Sequence, residues 1–260
     1  MSTGSFWKNG VLNFIQRDIN PTFPVGLWAD CPLQAIRTDP TVGYEVFEDF
    51  TNNDAATIYA ASAGYTVTQA GTAGIAMIAT AAGGAMTIDA GHTDAHDGAN
   101  VQKLGPCFKL AADKDLWFEC QFATTYPAKL QLFAGLADVD NTLIATGDLD
   151  SGNSEYIGFG CETAAAGVMS FYECKATAEL KDSLGTTGTL ASATSIRVGF
   201  KVTGITGIDC YINGAKQTLT NVVYGGLPVT DVLTPTFVVQ SDGTNQPVLT
   251  LDWYRCVQLR

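Results

Sequence analysis

The sequence predicts an all-β protein whose body is one antiparallel sandwich. From residue 44 onward, apolar and polar residues alternate over short runs, which is the period of a strand with one face in a core. Glycine occupies 27 of the 260 positions, and only 15% of the residues are charged, which favours short strands and tight turns over long charged helices. With 46% hydrophobic residues, a chain of this length can bury a substantial core as one domain.

Individual strands follow from this period. In residues 116–122 the apolar face receives Leu116, Phe118, Cys120 and Phe122, and the other face receives Trp117, Glu119 and Gln121. The period recurs at Leu130, Leu132 and Ala134, at Val168, Ser170 and Tyr172, and at Ile196, Val198, Phe200 and Val202. No helical pattern separates these strands, so we expect an antiparallel arrangement.

Two hairpins are predicted near the C-terminal end. Asn213-Gly214 separates two apolar runs, and this dipeptide readily supplies the two positive φ angles of a type I′ turn. Residues 236–240 and 248–259, joined by the polar turn SDGTN, predict a second hairpin-like unit.

Residues 1–43 predict an extended N-terminal arm, and residues 44–260 the sandwich. Four prolines and the lack of sustained alternation argue against central strands in the arm. Its apolar residues need cover, above all Phe6, Trp7, Leu12, Phe14 and Ile15. Either the protein's own sandwich or a binding partner can supply that cover.

Charge and hydropathy exclude several classes of partner. A net charge of −12 and a pI near 4.4 repel the phosphates of nucleic acids and anionic lipids. No apolar run approaches the length of a membrane helix, and the N-terminus lacks the pattern of a secretory signal. We therefore expect neither nucleic acid nor membrane as a partner, and synthesis in the cytoplasm.

The seven cysteines are an odd number and include no CxxC pair. Several fall within apolar strand patterns, where a free cysteine behaves as a small hydrophobe. We interpret them as reduced core thiols rather than a disulfide framework or a zinc site.

One loop, IDAGHTDAHDGAN, contains both histidines of the chain. Its candidate metal ligands are His92, Asp94, His96 and Asp97, with Asp89 nearby, since imidazole and carboxylate groups bind divalent cations. The DxDxDG calcium motif is missing, and Asp, Asn and Gly are also the residues that turns favour. We interpret the segment as an inter-strand loop and predict no metal and no cofactor.

Signatures of catalysis are missing from the sequence. Glycosidases of sandwich folds need two carboxylates across the scissile bond, one family placing them as ExDxxE on a strand, and that motif does not occur. The acidic residues of YEVFEDF and SEYIGFGCE, which are Glu45, Glu48, Asp49, Glu155 and Glu162, do not reproduce its spacing. GxSxG and phosphate-binding glycine motifs do not occur either, so we predict no enzyme.

Exposed aromatic rings suggest an alternative function. Tyrosine and tryptophan faces pack against sugar rings, so we consider a stacking platform. The candidates are Trp117, Tyr156, Tyr172, Tyr211, Trp253 and Tyr254. Alternation directs one ring of Trp253-Tyr254 inward and the other outward.

The segments LWFECQF, IRVGFKV, GIDCYINGAKQTL and LTLDWYRCVQLR, in this order, resemble a concanavalin A-like or laminin G-like jelly roll. Together with the opening FWKNGVLNF, they also resemble small virion proteins of tailed bacteriophages. The resemblance implies a non-enzymatic structural protein that decorates or cements the capsid and is located in the virion. Its expected partners are the major capsid protein, another virion protein or identical subunits in a homo-oligomer. The alternatives are a carbohydrate-binding module with a glycan partner and, third, a divergent glycosidase.

Overall fold

The alternating segments form the strands of two stacked sheets in a computed structural model of the chain. The structure describes residues 4–8, 11–15, 26–51, 64–78, 83–92, 94–105, 107–139, 143, 149, 154–222 and 224–260, with the backbone alone for 4–8, 11–15 and 163. The strands are β1 Gly4–Lys8, β2 Val11–Ile15, β3 Gly43–Glu48, β4 Tyr65–Ala70, β5 Gly74–Met77, β6 Met86–Asp89, β7 Ala95–Lys103, β8 Leu116–Thr124, β9 Leu130–Ala137, β10 Tyr156–Cys161, β11 Ser170–Lys175, β12 Ala178–Ser183, β13 Ile196–Thr203, β14 Gly207–Ile212, β15 Ala215–Gln217, β16 Thr234–Asp242 and β17 Val248–Leu259.

Helical structure in the described residues is short. The α-helix α1 spans Leu33–Thr38. Single 3-10 turns lie at Pro127–Lys129, Thr163–Ala165, Gly185–Gly188 and Tyr224–Gly226. None of these helices is long and apolar enough to cross a membrane.

Both large sheets are antiparallel, as predicted. The seven-stranded sheet has the order β12-β11-β10-β9-β16-β7-β4, and the eight-stranded sheet has the order β15-β14-β13-β8-β17-β6-β5. β3 is the eighth strand of the second sheet and pairs with residues 254–259 of β17, beyond the part of β17 that β6 covers. The two sheets form a jelly-roll sandwich, which confirms the predicted fold class.

The core lies between the two sheets, and in β8, β9 and β13 it consists of the residues that alternation assigned to it. In β11 the predicted face was wrong, because Phe171 points into the core and Tyr172 into a separate outer cluster. Leu116, Phe118, Cys120 and Phe122 of β8 have no exposed surface, and neither do Val198, Phe200 and Val202 of β13. Phe200 also contacts Phe171 of the opposite sheet, with ring centroids 5.5 Å apart. The period-two pattern therefore identified the inner faces of β8, β9 and β13 correctly.

The predicted turn at Asn213-Gly214 is confirmed. Asn213 and Gly214 have φ angles of 49° and 80°, as a type I′ turn requires, and Ile212 of β14 pairs with Ala215 of β15.

The second predicted hairpin is wrong, although both of its strands exist. β16 pairs with β7 and β9 in the seven-stranded sheet, whereas β17 pairs with β3, β6 and β8 in the other sheet. Residues 243–247 therefore cross from one sheet to the other. Phe237 and Tyr254 then meet across the core, with ring centroids 5.2 Å apart. Alternation locates a strand and its buried face, but it does not determine which neighbour the strand pairs with.

Residues 26–42, which we name the collar, cover the outer face of the eight-stranded sheet. Leu27 and Ile36 are buried there against Trp117, Tyr211 and Val257. Leu27 lies directly on the sheet, since a Cβ on Gly199 would come within 2.5 Å of its Cδ2 atom. Alternation placed Trp117 and Glu119 on this face, away from the core, and the collar makes the face a second buried layer.

Polar contacts fix the collar in place. The indole of Trp28 donates a hydrogen bond of 2.6 Å to Glu119 Oε2, and the indole of Trp117 donates one of 3.2 Å to Asp30 Oδ1. Lys201 also forms an ion pair with Asp30. Burial raises the pKa of Glu119, while the hydrogen bond from Trp28 and the nearby arginines act against this rise.

The predicted arm, residues 1–43, therefore contains two different described parts. β1 and β2 form a separate two-stranded sheet, in which Trp7 is opposite Leu12 and Lys8 is opposite Val11. The collar contains α1, which the sequence did not predict. The boundary proposed between residues 43 and 44 stays a prediction, and β3 begins at Gly43.

The cysteines are free thiols, and most contribute to apolar layers. Cys120, Cys161, Cys174, Cys210 and Cys256 are buried, whereas Cys31 and Cys107 are partly exposed. Burial raises the pKa of Cys161 and of Cys174 to about 11, so both are protonated at neutral pH.

Two N-terminal deletions are expected to differ in stability. Deleting residues 1–25 should leave the melting temperature unchanged, because among the described strands β1 and β2 pair with each other and with no strand of the sandwich. Deleting residues 1–42 should lower the free energy of unfolding by roughly 3–6 kcal/mol, because it also removes the buried Leu27 and Ile36 side chains. Urea unfolding of the three proteins measures both effects. Equal stabilities of the two deleted proteins would show that the collar does not stabilise the sandwich.

Candidate binding surfaces

The loop with both histidines is organised by Asp97 rather than by a metal geometry. His92, Asp94 and His96 are exposed, whereas Asp97 is 5% exposed. Asp97 Oδ2 accepts hydrogen bonds from the backbone N–H groups of Asp94 (3.2 Å) and Thr72 (3.4 Å). In the described part of the chain, no three His, Cys, Asp or Glu side chains are grouped to hold a metal ion. β6 ends at Asp89 and β7 begins at Ala95, so the predicted loop is only the short connection between them, and His96 and Asp97 lie in β7.

Most of the candidate sugar-stacking rings are packing residues. Trp117, Tyr156, Tyr172, Tyr211 and Tyr254 are between 0% and 6% exposed. Trp253 is half-buried, and Tyr254 points into the core, which agrees with the predicted opposite directions of this pair. Five of the six rings therefore have no face available for stacking on a sugar, and Trp253 is partly available.

The outer face of the seven-stranded sheet carries an aromatic layer of its own. Phe133, Tyr156 and Tyr172 lie there, and Leu143 and Leu149 join them in one buried cluster. The cluster leaves little open surface over the centre of the sheet.

Two carboxylates and one ammonium group meet at the edge of this aromatic layer. Lys181 Nζ is 2.8 Å from Glu162 Oε1 and 3.9 Å from Glu179 Oε1, and it lies 5.5 Å from the ring centroid of Tyr172. Tyr156 donates a hydrogen bond to Glu179. Burial raises the pKa of Tyr156, and the bond to Glu179 raises it further, so the phenol stays protonated. Lys181 compensates one of the two negative charges, and the ion pairs together with the Tyr156 hydrogen bond tie β12 to β10 and β11.

The other acidic candidates have separate structural partners. Glu45 binds Arg37 at 2.8 Å and Arg255 at 3.1 Å on the eight-stranded sheet. Glu48 accepts a hydrogen bond from the Phe50 N–H, and Asp49 accepts one from Thr51. Glu155 accepts one from the backbone N–H of Asp231. The sequence missed the proximity of Glu162 and Glu179, because Glu162 follows β10 whereas Glu179 lies in β12.

An open groove lies beside the β14–β15 hairpin. Its volume is about 470 Å³, and its lining includes Lys216, Gln217 and Thr218 as well as Tyr224, which is 61% exposed. Sequence reasoning did not select Tyr224, because no alternation surrounds it. A flat ring next to amide and hydroxyl groups suits a small polar ligand with an apolar face.

Asp182 anchors the loop that carries Tyr224. Its carboxylate accepts hydrogen bonds of 2.8 Å from the backbone N–H groups of Thr220, Asn221 and Val222. Burial acts to raise the pKa of Asp182, but the hydrogen bonds from Thr220 and from this backbone outweigh it and lower the pKa. The side of the groove formed by Val222 is therefore held in place by Asp182.

The predicted partner-binding residues belong to the two-stranded sheet. Phe6 and Trp7 are in β1, and Leu12, Phe14 and Ile15 are in β2. Their side chains lie outside the part of the chain that the structure describes.

The protein has a concanavalin A-like sandwich fold. Among solved structures, it is similar to an endo-1,3-β-glucanase from Streptomyces sioyaensis, with a TM-score of 0.57, 10% identity and coverage of 85% of this chain and 98% of that chain. Peanut lectin has a TM-score of 0.52 at 10% identity, with 84% and 98% covered. An endo-β-1,4-glucuronan lyase from the fungus Trichoderma reesei has a TM-score of 0.52 at 10% identity, with 81% and 94% covered.

These similarities establish a fold that enzymes and lectins share, and at this identity they establish nothing more. No protein-family model and no curated protein sequence matches the chain.

Asp97 is expected to stabilise its loop without a metal. Asp97→Ala should lower the free energy of unfolding by about 1.5–3 kcal/mol, because backbone donors lose a charged acceptor. His92→Ala is the control and should have no effect, since His92 is exposed. EDTA should leave the thermal melting curve of the wild type unchanged. If EDTA lowers the melting temperature and calcium or zinc restores it, the loop is a metal site.

Proposed function

We propose that the protein is a non-enzymatic structural component of a tailed-phage particle, in which the sandwich decorates or cements the capsid and the β1–β2 hairpin attaches it. The observation that carries this proposal is the division of the N-terminal region. β1 and β2 form their own two-stranded sheet, whereas the collar that follows is packed on the sandwich.

The composition of the hairpin supports an attachment role. A two-stranded sheet is at best marginally stable alone, and this one carries Phe6, Trp7, Leu12, Phe14 and Ile15. Burying each such side chain contributes about 1.5–3 kcal/mol, so a partner that covers them gains a large part of an interface energy. The partner we propose is the major capsid protein, another virion protein or an identical subunit.

Other features fit the same role. The collar is fixed to the sandwich through Leu27, Ile36 and the Trp28–Glu119 hydrogen bond. If the hairpin binds a partner, the collar would therefore connect that partner to a well-packed part of the sandwich. A net charge of −12 favours solubility before assembly. The FWKNG opening, which resembles that of phage virion proteins, supports the virion as the location.

The test uses particles of the phage that encodes the chain. We expect the protein in gradient-purified particles at a fixed copy number, measured by quantitative mass spectrometry. When particles that lack it are incubated with purified protein, Trp7→Ser and Phe14→Ser should each weaken binding at least about tenfold, since each removes an apolar contact. Tyr126→Ser, which changes an exposed ring of the sandwich, is the matched control. Absence from purified particles would refute the proposal.

Glycan binding is the second candidate function, and the groove beside Tyr224 is the observation that favours it. Tyr224→Ala should weaken binding of a neutral oligosaccharide about five- to tenfold, because a stacked ring contributes roughly 1 kcal/mol. Tyr126→Ala is the control, since Tyr126 is exposed to a similar extent, 54% against 61%, and does not line the groove. Titration calorimetry against a set of plant, fungal and bacterial oligosaccharides measures this. If no oligosaccharide binds, the protein is not a lectin for these sugars.

A further inference from the structure

The cationic side chains of this acidic protein are unevenly paired. The structure describes twelve of the fourteen lysine and arginine side chains, and seven of these lie within 4.0 Å of a carboxylate. The other five are Lys103, Lys109, Lys114, Lys175 and Arg260. Three of these five, Lys109, Lys114 and Arg260, line one cavity of about 510 Å³.

This cavity, which we name the basic pocket, lies where three chain segments meet. Lys109 and Lys114 come from the connection between β7 and β8, Arg260 follows β17, and Tyr44 of β3 forms part of the wall. Although the chain has 26 acidic residues, no carboxylate side chain among the residues that the structure describes forms an ion pair with any of these three cations.

The backbone that carries these cations is fixed. The buried amide of Gln258 accepts a hydrogen bond of 3.1 Å from the Lys109 N–H and donates one of 2.6 Å to the Lys109 carbonyl. The ring of Tyr44 stacks on buried Phe108 with centroids 5.3 Å apart. The backbone N–H of Arg260 donates a hydrogen bond of 3.1 Å to the carbonyl of Val42. A ligand would therefore meet backbone that is already ordered, which lowers the entropy cost of binding.

Two of the pocket's cations, Lys109 and Arg260, contact neutral groups of the described residues. Lys109 Nζ donates to the carbonyl of Thr230 at 3.0 Å, a neutral acceptor, and the Arg260 guanidinium lies 5.5 Å from the Tyr44 ring centroid. Asp115, the residue after Lys114, forms an ion pair with Lys201 at 3.4 Å and accepts a hydrogen bond of 2.9 Å from the Gly204 N–H. Positive charge is therefore available to a ligand.

We propose that the basic pocket binds the oxyanion group, a carboxylate, sulfate or phosphate, of a small organic molecule. A guanidinium group presents parallel N–H donors that fit such oxygens. The two lysine ammonium groups add positive charge and can donate in several directions. The volume lies in the range of small-molecule sites and exceeds the needs of an inorganic ion, so the rest of the molecule has room beside Tyr44 and Leu259. This site is independent of the virion role and of the groove beside Tyr224.

The test uses full-length protein and a matched series of ligands that differ only in the charged group. Glucuronate, glucose 6-sulfate and glucose 6-phosphate are titrated by calorimetry, with neutral glucose, inorganic sulfate and inorganic phosphate as comparisons. At least one anionic sugar should bind, more tightly than glucose and more tightly than either inorganic ion. The anionic sugar that binds most tightly identifies the group, and added salt should weaken its binding.

Variants locate the binding in the pocket. Arg260→Gln and Lys114→Gln should each weaken binding of that sugar at least about tenfold, because each removes a charged donor. Lys175→Gln, which removes a cation that lies outside the pocket, should leave it unchanged. All three variants should melt like the wild type, since both pocket residues are exposed. The proposal is overturned if no anionic sugar binds, if glucose or an inorganic ion binds as tightly, or if both pocket variants retain full affinity.

Discussion

Aromatic packing across the core is the interaction on which the rest of the structure depends. Phe118 and Phe200 stack within the eight-stranded sheet at 5.2 Å, and Phe200 meets Phe171 of the other sheet at 5.5 Å. Phe159 completes the group at 5.2 Å from Phe171. These rings pack the two sheets against each other at the centre of the sandwich, and the collar lies on the other side of two of the strands that carry them, β8 and β13.

The collar changes what the outer face of the eight-stranded sheet can do. Trp117 and Glu119, which alternation places away from the core, become buried beneath Leu27 and Trp28. This sheet therefore has apolar layers on both sides, an arrangement that leaves its centre closed to ligands. The aromatic layer around Phe133, Tyr156 and Tyr172 has the same effect on the other sheet. The two larger cavities, the groove beside Tyr224 and the basic pocket, consequently lie at a sheet edge and at the ends of strands.

The charged side chains also have mainly structural roles. Most of the described cations are paired with carboxylates that hold strands or loops together, as Lys181 does with Glu162 and Arg37 with Glu45. Exposed pairs of this kind contribute little to stability individually, so their main effect is to set local geometry. The basic pocket differs, because Lys109 contacts a neutral backbone carbonyl and Arg260 a tyrosine ring, and neither forms an ion pair with a carboxylate among the described residues.

The sequence alone determined the positions of β8, β9, β13, β16 and β17, the inner faces of β8 and β13, and the turn at Asn213-Gly214, because each depends on neighbouring residues and on the local period of the chain. Only the tertiary structure decided that β16 and β17 belong to different sheets, that residues 26–42 fold back as a collar, and that Arg260 lies beside Lys109 and Lys114. Those outcomes depend on which surfaces meet after the strands have formed. Apolar burial is non-directional, so a pattern along the chain fixes which residues avoid water but does not name the residues that cover them.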